Sequence, residues 1–181
     1  SVRVRPLVPF KFIMQLDCET PVGKQFIKDQ HDVESLIERR YNVTVKTKTN
    51  KIEKYDADIY RKDSLIGVCE IKTRPFWNRK DKTPFTLDLL KKNGYLITAE
   101  KLDILQTKSL NEGVISCVFV KIPHENTVAS IKVTDEKGNF LINFKKRFSK
   151  TKYSSNDYKG DTLRENAFIK YDPKTFNTFK Y

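Results

Sequence analysis

The sequence predicts an α/β (α+β) domain in which a central β-sheet is flanked by helices and followed by a C-terminal β-hairpin. Three patterns carry this expectation. Residues 22–40 have helical periodicity. Residues 41–48, about 53–61 and about 64–73 have the β-branched, alternating texture of three successive strands. A second helix, from Thr98 to about Leu110, leads into the apolar run 114–122. A helix followed by a strand unit of this size buries its apolar stripe on one face of an antiparallel sheet. One domain is the natural count for 181 residues, and the chain is long enough to bury a core.

Taken in order, residues 1–21 form an N-terminal arm. Within it Val8-Pro9-Phe10-Lys11-Phe12-Ile13-Met14-Gln15-Leu16 reads as extended, and Pro21 and Gly23 punctuate its end. The domain proper covers 22–147. On its first helix Phe26, Val33 and Ile37 make the apolar stripe, with Ile27 and Leu36 at the margins. With Ile37 at the origin of a helical wheel, Gln30 falls at about +20° and Glu34 at about +60°, inside the core-facing arc. Glu38 and His31 lie farther out, at about +100° and +120°. A carboxylate on a buried arc needs a partner, which singles out Glu34; a surface acid tilted outward or a core salt bridge is the plainer alternative.

Asn50 and Lys51 mark a turn between the first two strands. The third strand holds Leu65-Ile66-Gly67-Val68-Cys69-Glu70-Ile71, apolar on both faces until Glu70, as an interior strand would be. Simple alternation places residues 66, 68, 70 and 72 on one face and 65, 67, 69 and 71 on the other. Residues 74–84 are a basic, aromatic loop. Residues 85–92 read as a short helix ended by Asn93-Gly94, and 95–97 as a brief strand or helix lead-in. Thr98 is a candidate N-cap, and Asn111-Glu112-Gly113 terminates the helix it starts. Residues 114–122 are the most apolar strand and are expected at the centre of the sheet. Residues 128–134 and 139–146 alternate around Asp135-Glu136-Lys137-Gly138, a hairpin. Residues 148–181 turn polar and form an extension packed on, or trailing from, the domain, with 163–169 its last partly ordered segment.

Lysine and arginine number 35 against 23 acids, a formal surplus of +12. A surplus this size points to a polyanionic partner, most simply DNA or RNA, with a merely solvated basic surface or anionic lipid as the alternative. No apolar run approaches membrane length and no stretch reads as a secretory signal. Cys18, Cys69 and Cys117 lack any zinc-ligand spacing, and the last two fall in apolar strands, so reduced core thiols in an intracellular compartment are expected.

The chemistry concentrates in residues 54–74. Asp56 and Asp58 lie in one strand, and Glu70 and Lys72 close the next. The acid-x-Lys pattern occurs four times, but the triplets at 135, 157 and 172 sit in hydrophilic, turn-like text. Only Glu70-Ile71-Lys72 is embedded in an apolar strand, where a carboxylate and an ammonium are costly unless compensated. A metal ion is one compensation and a mutual salt bridge is the other. Carboxylates suit Mg²⁺ or Mn²⁺. Asp56 or Asp58 with Glu70 would be inner ligands, joined by the main-chain carbonyl of Ile71. Lys72 would position water or stabilise charge on phosphorus, and Glu34 would add a supporting bond or hold a second ion. A three-residue turn at 62–64 pairs Asp56 with Glu70, whereas a five-residue turn centred on Ser64 pairs Asp58 with it.

The order of a helix with Glu34, a strand over 41–48, a strand with Asp56 and Asp58, a strand ending Glu70-Ile71-Lys72, a helix over 98–110 and a strand over 114–122 resembles the PD-(D/E)XK nuclease superfamily. The likeness covers about residues 22–122. Residues 55–74 look especially like small phage-type or virus-type nucleases, in which an acid-Ile-Lys-Thr/Ser-Arg string closes the third strand. The chain departs from the pattern in having Ala57, not proline, before Asp58 and Tyr55 before Asp56. The resemblance implies a mixed sheet with an αβββαβ core, metal-dependent cleavage of phosphodiester bonds, DNA more than RNA as substrate, and a homodimer. Lys101 would face the scissile phosphate in such a fold, or be an exposed helix-start lysine. Arg74, Trp77, Arg79, Lys80 and Lys82 would grip the nucleic-acid backbone, with Phe76 or Trp77 stacking on a base, and Arg147, Lys150, Lys152 and Arg164 are further phosphate contacts. Some cap-snatching RNA endonucleases of the same broad fold use a helix histidine as a metal ligand, the place of His31 here; a surface histidine is the alternative. A nucleic-acid-binding or virion-associated protein with this fold and no turnover is the competing function, and a basic scaffold whose Glu70–Lys72 pair is only a core salt bridge is a third.

Overall fold

The computed structural model describes residues 21–48, 54–77, 81–152 and 161–181. The chain runs α1 (Pro21–Tyr41), β1 (Thr44–Thr47), β2 (Ala57–Arg61), β3 (Ser64–Thr73), α2 (Leu87–Asn93), β4 (Tyr95–Thr98), α3 (Ala99–Glu112), β5 (Ile115–Ile122), β6 (Thr127–Thr134), β7 (Phe144–Lys152), β8 (Asp161–Ile169) and β9 (Phe176–Lys180). A six-stranded sheet has the order β1-β2-β3-β5-β6-β9, and a three-stranded sheet the order β4-β8-β7. The large sheet is mixed: β3 and β5 pair in parallel, and its other neighbours pair antiparallel. A parallel pair needs a crossover, and α3 supplies it. The fold is therefore α+β, with the expected order of helix, three strands, helix and central strand and with α2 and β4 inserted before the second helix. Among the described residues no helix is long and apolar enough to cross a membrane.

Two apolar layers cover β3 and β5. On one face Val33, Leu36 and Ile37 of α1 meet Ala57, Ile59, Cys69, Ile71, Cys117 and Phe119. The stripe is shorter than its periodicity suggests: Phe26 is 46% exposed and is not part of this layer. On the other face Leu102 and Leu105 of α3 join Val68, Val118, Ile131, Ala167 and Ile169. Leu102 and Leu105 are fully enclosed, each worth roughly 2 kcal/mol of burial. Hydroxyls knit this layer: Ser109 Oγ and Ser116 Oγ lie 2.6 and 2.7 Å from Thr134 Oγ1.

The β2–β3 connection differs from both turns considered above. Arg61 pairs with Ser64, leaving a two-residue turn at Lys62 and Asp63, with Lys62 at φ 55. Tyr60 then pairs with Leu65 but Ile59 pairs with Gly67, so Ile66 is an extra residue in β3. A bulge of this kind breaks the alternation of faces. Leu65 and Val68 pack on the α3 side, whereas Ile66 packs with Cys69 and Ile71 on the α1 side. Simple alternation had grouped Ile66 with Val68, Glu70 and Lys72; the bulge moves it to the opposite face. Below the bulge the register runs Ala57 to Cys69, and Asp56 N donates to the Cys69 carbonyl at 3.1 Å. Continued by one step, that ladder sets Asp56 beside Glu70.

The described residues of the C-terminal third hold more regular structure than their polar text suggests. The hairpin expected over 128–146 is short: Asp135 N donates to the Asn139 carbonyl at 3.0 Å and Leu141 N to the Val133 carbonyl at 2.9 Å. Past the turn at residues 135–138, Thr134 makes a bridge to Phe140, but the chain then leaves the large sheet. Instead β6 pairs with β9, which completes the large sheet, and β7 pairs with β8 along nine positions in the small one. Described residues of 148–181 are thus built into both sheets. Gly94 joins α2 to β4 at φ 73, and a Cβ there would lie 2.4 Å from the Ile169 carbonyl oxygen. Backbone strain and that contact act together, so Gly94→Ala is expected to cost about 2 kcal/mol or more in urea unfolding. An unchanged midpoint would contradict the close packing of β4 on β8.

Candidate active site

The apolar strand β3 ends in Glu70-Ile71-Lys72, and the bulge at Ile66 fixes Glu70 on the α3 face. Glu70 is wholly buried. Its Oε2 accepts from Lys101 Nζ at 2.7 Å, and Lys72 Nζ lies 2.7 Å from Oε1. Asp56 stands alongside: its Oδ2 accepts from the Ile71 amide at 2.7 Å and is 3.7 Å from Lys72 Nζ, while Oδ1 is 3.8 Å from Lys101 Nζ. Two carboxylates and two ammoniums therefore alternate at the strand end. Lys101 reaches the cluster because α3 begins at Ala99, immediately after β4, which puts its first turn over Glu70.

The crowding of protein atoms around the Lys72 ammonium disfavours its charge. The Glu70 and Asp56 carboxylates outweigh that effect and hold it above the ordinary lysine value. Side-chain accessibility grades outward, from none at Glu70 to 27% at Lys101 and 46% at Lys72. The lysines can swing into solvent; the glutamate cannot.

Tyr95, which opens β4, is an unforeseen neighbour. It is buried, and the Arg74 guanidinium lies over its ring at 4.8 Å and over Phe85 at 5.4 Å. Burial raises the Tyr95 phenol above its ordinary value; Arg74 and Lys72 oppose the shift, and Glu70 and Asp56 add to it. Nothing in the residues around Tyr95 marks it as a neighbour of the acids. Its placement follows from β4 pairing with β8.

Asp58 is not brought into the cluster. It is buried two positions up β2, with Lys48 Nζ 2.6 Å from Oδ2 and the Tyr55 hydroxyl donating to Oδ1 at 2.8 Å. Burial, then the Asp58 hydrogen bond, raise the Tyr55 phenol, which remains a donor. Glu34 is also buried and separately satisfied on the α1 side. Its oxygens accept from Thr47 Oγ1 at 2.9 Å and from Gln30 Nε2 at 2.9 Å, and His31 Nδ1 sits 2.8 Å away. The His31 side chain is 56% exposed. Of the predicted acids, then, the structure joins Asp56 and Glu70 and leaves Asp58 and Glu34 apart. Among the described residues no three of His, Cys, Asp and Glu gather as a ready ligand set.

Of the loop residues, Arg79 and Lys80 lie outside the described residues. Arg74 is folded against Phe85 and Tyr95 as given above, and Lys82 is exposed at φ 58. Trp77 and Phe76 are 50% and 45% exposed, stacked edge to face at 5.1 Å and backed by His124 at 5.9 and 4.9 Å. His124 had carried no signal in the sequence, since the turn after β5 is brought to the loop only by the fold.

Asp56 and Glu70 suit a hard cation. Mg²⁺ is commonly held by one or two carboxylates with water and phosphate oxygens completing its shell, so a two-acid site is sufficient. Glu70 Oε1 is a buried acceptor with no aligned hydrogen bond despite the nearby ammonium. In an antiparallel ladder a residue's N–H and C=O face the same neighbour, so the Ile71 carbonyl faces the Asp56 side, where its amide is aimed. No family profile, no curated protein and no solved structure matches the chain.

Two predictions follow from these charges. Lys72→Met/Lys101→Met strands an enclosed carboxylate and should cost about 3 kcal/mol in urea unfolding, whereas Glu70→Gln, which leaves two ammoniums able to reach water, should cost less. The reverse ranking would contradict the burial gradient. Second, Cys69, Cys117, Tyr95 and Lys72 all have proton affinities raised on folding, Cys117 to about 12 by burial. Above the ordinary thiol value of 9.0 the unfolded chain binds fewer protons than the folded one, so stability falls as pH rises. The urea midpoint should be flat from pH 7 to 8 and drop by pH 10.5, with a smaller drop in Cys117→Ala.

Proposed function

We propose that this chain is a Mg²⁺- or Mn²⁺-dependent nuclease that hydrolyses phosphodiester bonds, in DNA more than in RNA. The observation that carries this reading is the cluster at the end of β3, where Asp56 and a wholly buried Glu70 stand between Lys72 and Lys101. The resemblance of residues 22–122 to the PD-(D/E)XK superfamily and the surplus of +12 support it. Asp56, Glu70 and the Ile71 carbonyl would hold the cation. When bound, such an ion neutralises nonbridging phosphate oxygens and acidifies water. Lys72, freed from Glu70, orients the attacking water or meets charge developing on phosphorus, and Lys101 turns to the phosphate. Tyr95, with Arg74 over its ring, walls the site.

A second reading, nucleic-acid binding without turnover, draws on one feature: both carboxylates already have lysine partners, so the cluster is charge-balanced without an ion. A nuclease assay separates the two. Linear, circular, single-stranded and branched DNA should be cut with Mg²⁺ or Mn²⁺ and spared in EDTA. Glu70→Ala and Lys72→Ala should each lower the rate at least about 100-fold while salt-sensitive DNA binding persists. Asp58→Asn should cut at near wild-type rate, because Asp58 stands outside the cluster. Normal cutting by the Glu70 and Lys72 variants would overturn the site, and absence of cutting under every condition would favour binding alone.

A further inference from the structure

The small sheet bears a second basic feature that the cluster at β3 does not use. A cavity of about 520 Å³ is bounded by the end of α2, the outer face of β7 and β8 and the turn after β8. Five cations line it: Lys91, Lys92, Lys145, Arg147 and Lys170. Among the described residues no acid lines it, and none of the five forms an ion pair with one. Lys146, between Lys145 and Arg147 on β7, points the other way and pairs with Asp103 at 2.8 Å. The alternation of the strand thus sorts a neutralised lysine to the inner face and two cations to the cavity.

Two rings hold these cations in place. The Arg147 guanidinium lies 3.8 Å from the centroid of Phe168, and the Lys91 ammonium 5.5 Å from that of Tyr171. A guanidinium flattened on a ring still presents its outer plane for stacking on a base. At its floor Gly94 packs too close to the Ile169 carbonyl for any side chain. A solvated basic face explains scattered lysines, and the C-terminal end of α2 favours Lys91 and Lys92. Neither accounts for Lys145, Arg147 and Lys170 converging on one concave space, where like charges repel until a polyanion relieves them.

We propose that this cavity binds the backbone of single-stranded nucleic acid, with phosphates against Lys145, Lys170 and the α2 lysines and a base over Arg147. The volume lies in the range of small-ligand sites, about 300–1,000 Å³, and is too small for a duplex. The choice of nucleic acid as occupant rests on the function proposed above. Gly94, which lines the cavity, is followed directly by Tyr95, whose ring belongs to the neighbourhood of Glu70, so β4 links the two regions.

Fluorescence anisotropy with a short fluorescein-labelled oligothymidylate, in EDTA so that nothing is cut, tests the site. Lys145→Glu/Arg147→Glu should weaken binding at least about 10-fold and lower the slope of log K against log salt by about 1.4, the value for two single-strand phosphate contacts. Lys145→Glu/Lys170→Glu, which leaves the Arg147–Phe168 stack intact, should do the same. Lys137→Glu/Lys174→Glu changes the net charge equally at exposed turns outside the cavity and should weaken binding less than about 3-fold. Equal losses in all three variants, no loss in the cavity variants, or no binding by the wild type would each overturn the proposal. Parallel cleavage assays with Mg²⁺ keep the two proposals distinct. Cavity-dependent binding without cutting defeats only the catalytic reading, and cutting with cavity-independent binding defeats only this one.

Discussion

A carboxylate with no access to water, held between two ammoniums, is the constraint on which the rest of this structure depends. Leaving Glu70 charged inside the sheet without partners would cost several kcal/mol, and each partner comes from a different part of the fold. Lys72 follows on the same strand face, two residues on. Lys101 arrives from the first turn of α3, which requires β4 to end at Thr98 and the crossover to pass over β3. Asp56 arrives because β2 and β3 pair in one register, which the bulge at Ile66 permits. Sheet register, bulge and helix start have to agree for the cluster to exist.

The two faces of the large sheet divide the labour. The α1 face is apolar, and its one buried acid, Glu34, has its oxygens occupied by Thr47, Gln30 and His31. The α3 face is apolar at its centre and charged at its end, where Glu70, Asp56, Lys72 and Lys101 meet Tyr95 and Arg74. Interactions at Glu70 are strong because protein atoms exclude water from it, and they are adjustable because the lysines are longer and less enclosed than the glutamate. On the proposed reading, a fixed anionic centre with movable cations can trade partners when a phosphate or a metal arrives.

The proposed catalysis and the proposed nucleic-acid binding draw on different parts of the chain. The cluster belongs to the large sheet, whereas the basic cavity belongs to the small one, assembled from α2, β7, β8 and the turn beyond. Tyr95 belongs to the small sheet yet stands beside the cluster, so β4 is the element through which the two sheets share the region. The surplus of cations that the composition shows is therefore not spread evenly; part of it neutralises acids, and part converges on a concavity without acids.

The central elements were legible from the sequence because their signals are local. The strand expected over 64–73 is observed at Ser64–Thr73, the short helix ends at Asn93 with Gly94 as its cap, and the apolar run near 114–122 lies between β3 and β6. Burial of Glu34 followed from its angle on the helix, and the embedded Glu70-Ile71-Lys72 was separated from three look-alike triplets by its apolar surroundings. What the tertiary structure alone decided is whatever depends on pairing between distant segments. The bulge that moves Ile66 across the sheet, the choice of Asp56 over Asp58 beside Glu70, and the strands β8 and β9 within polar text all come from ladder partners, not from periodicity. Lys101 as a partner of Glu70, Tyr95 at the edge of the cluster and the five-cation cavity have the same origin. A residue's own sequence neighbourhood fixes its face and its preference for helix or strand; which charge it meets is set by chain brought from far away, and that information is spread over the whole fold.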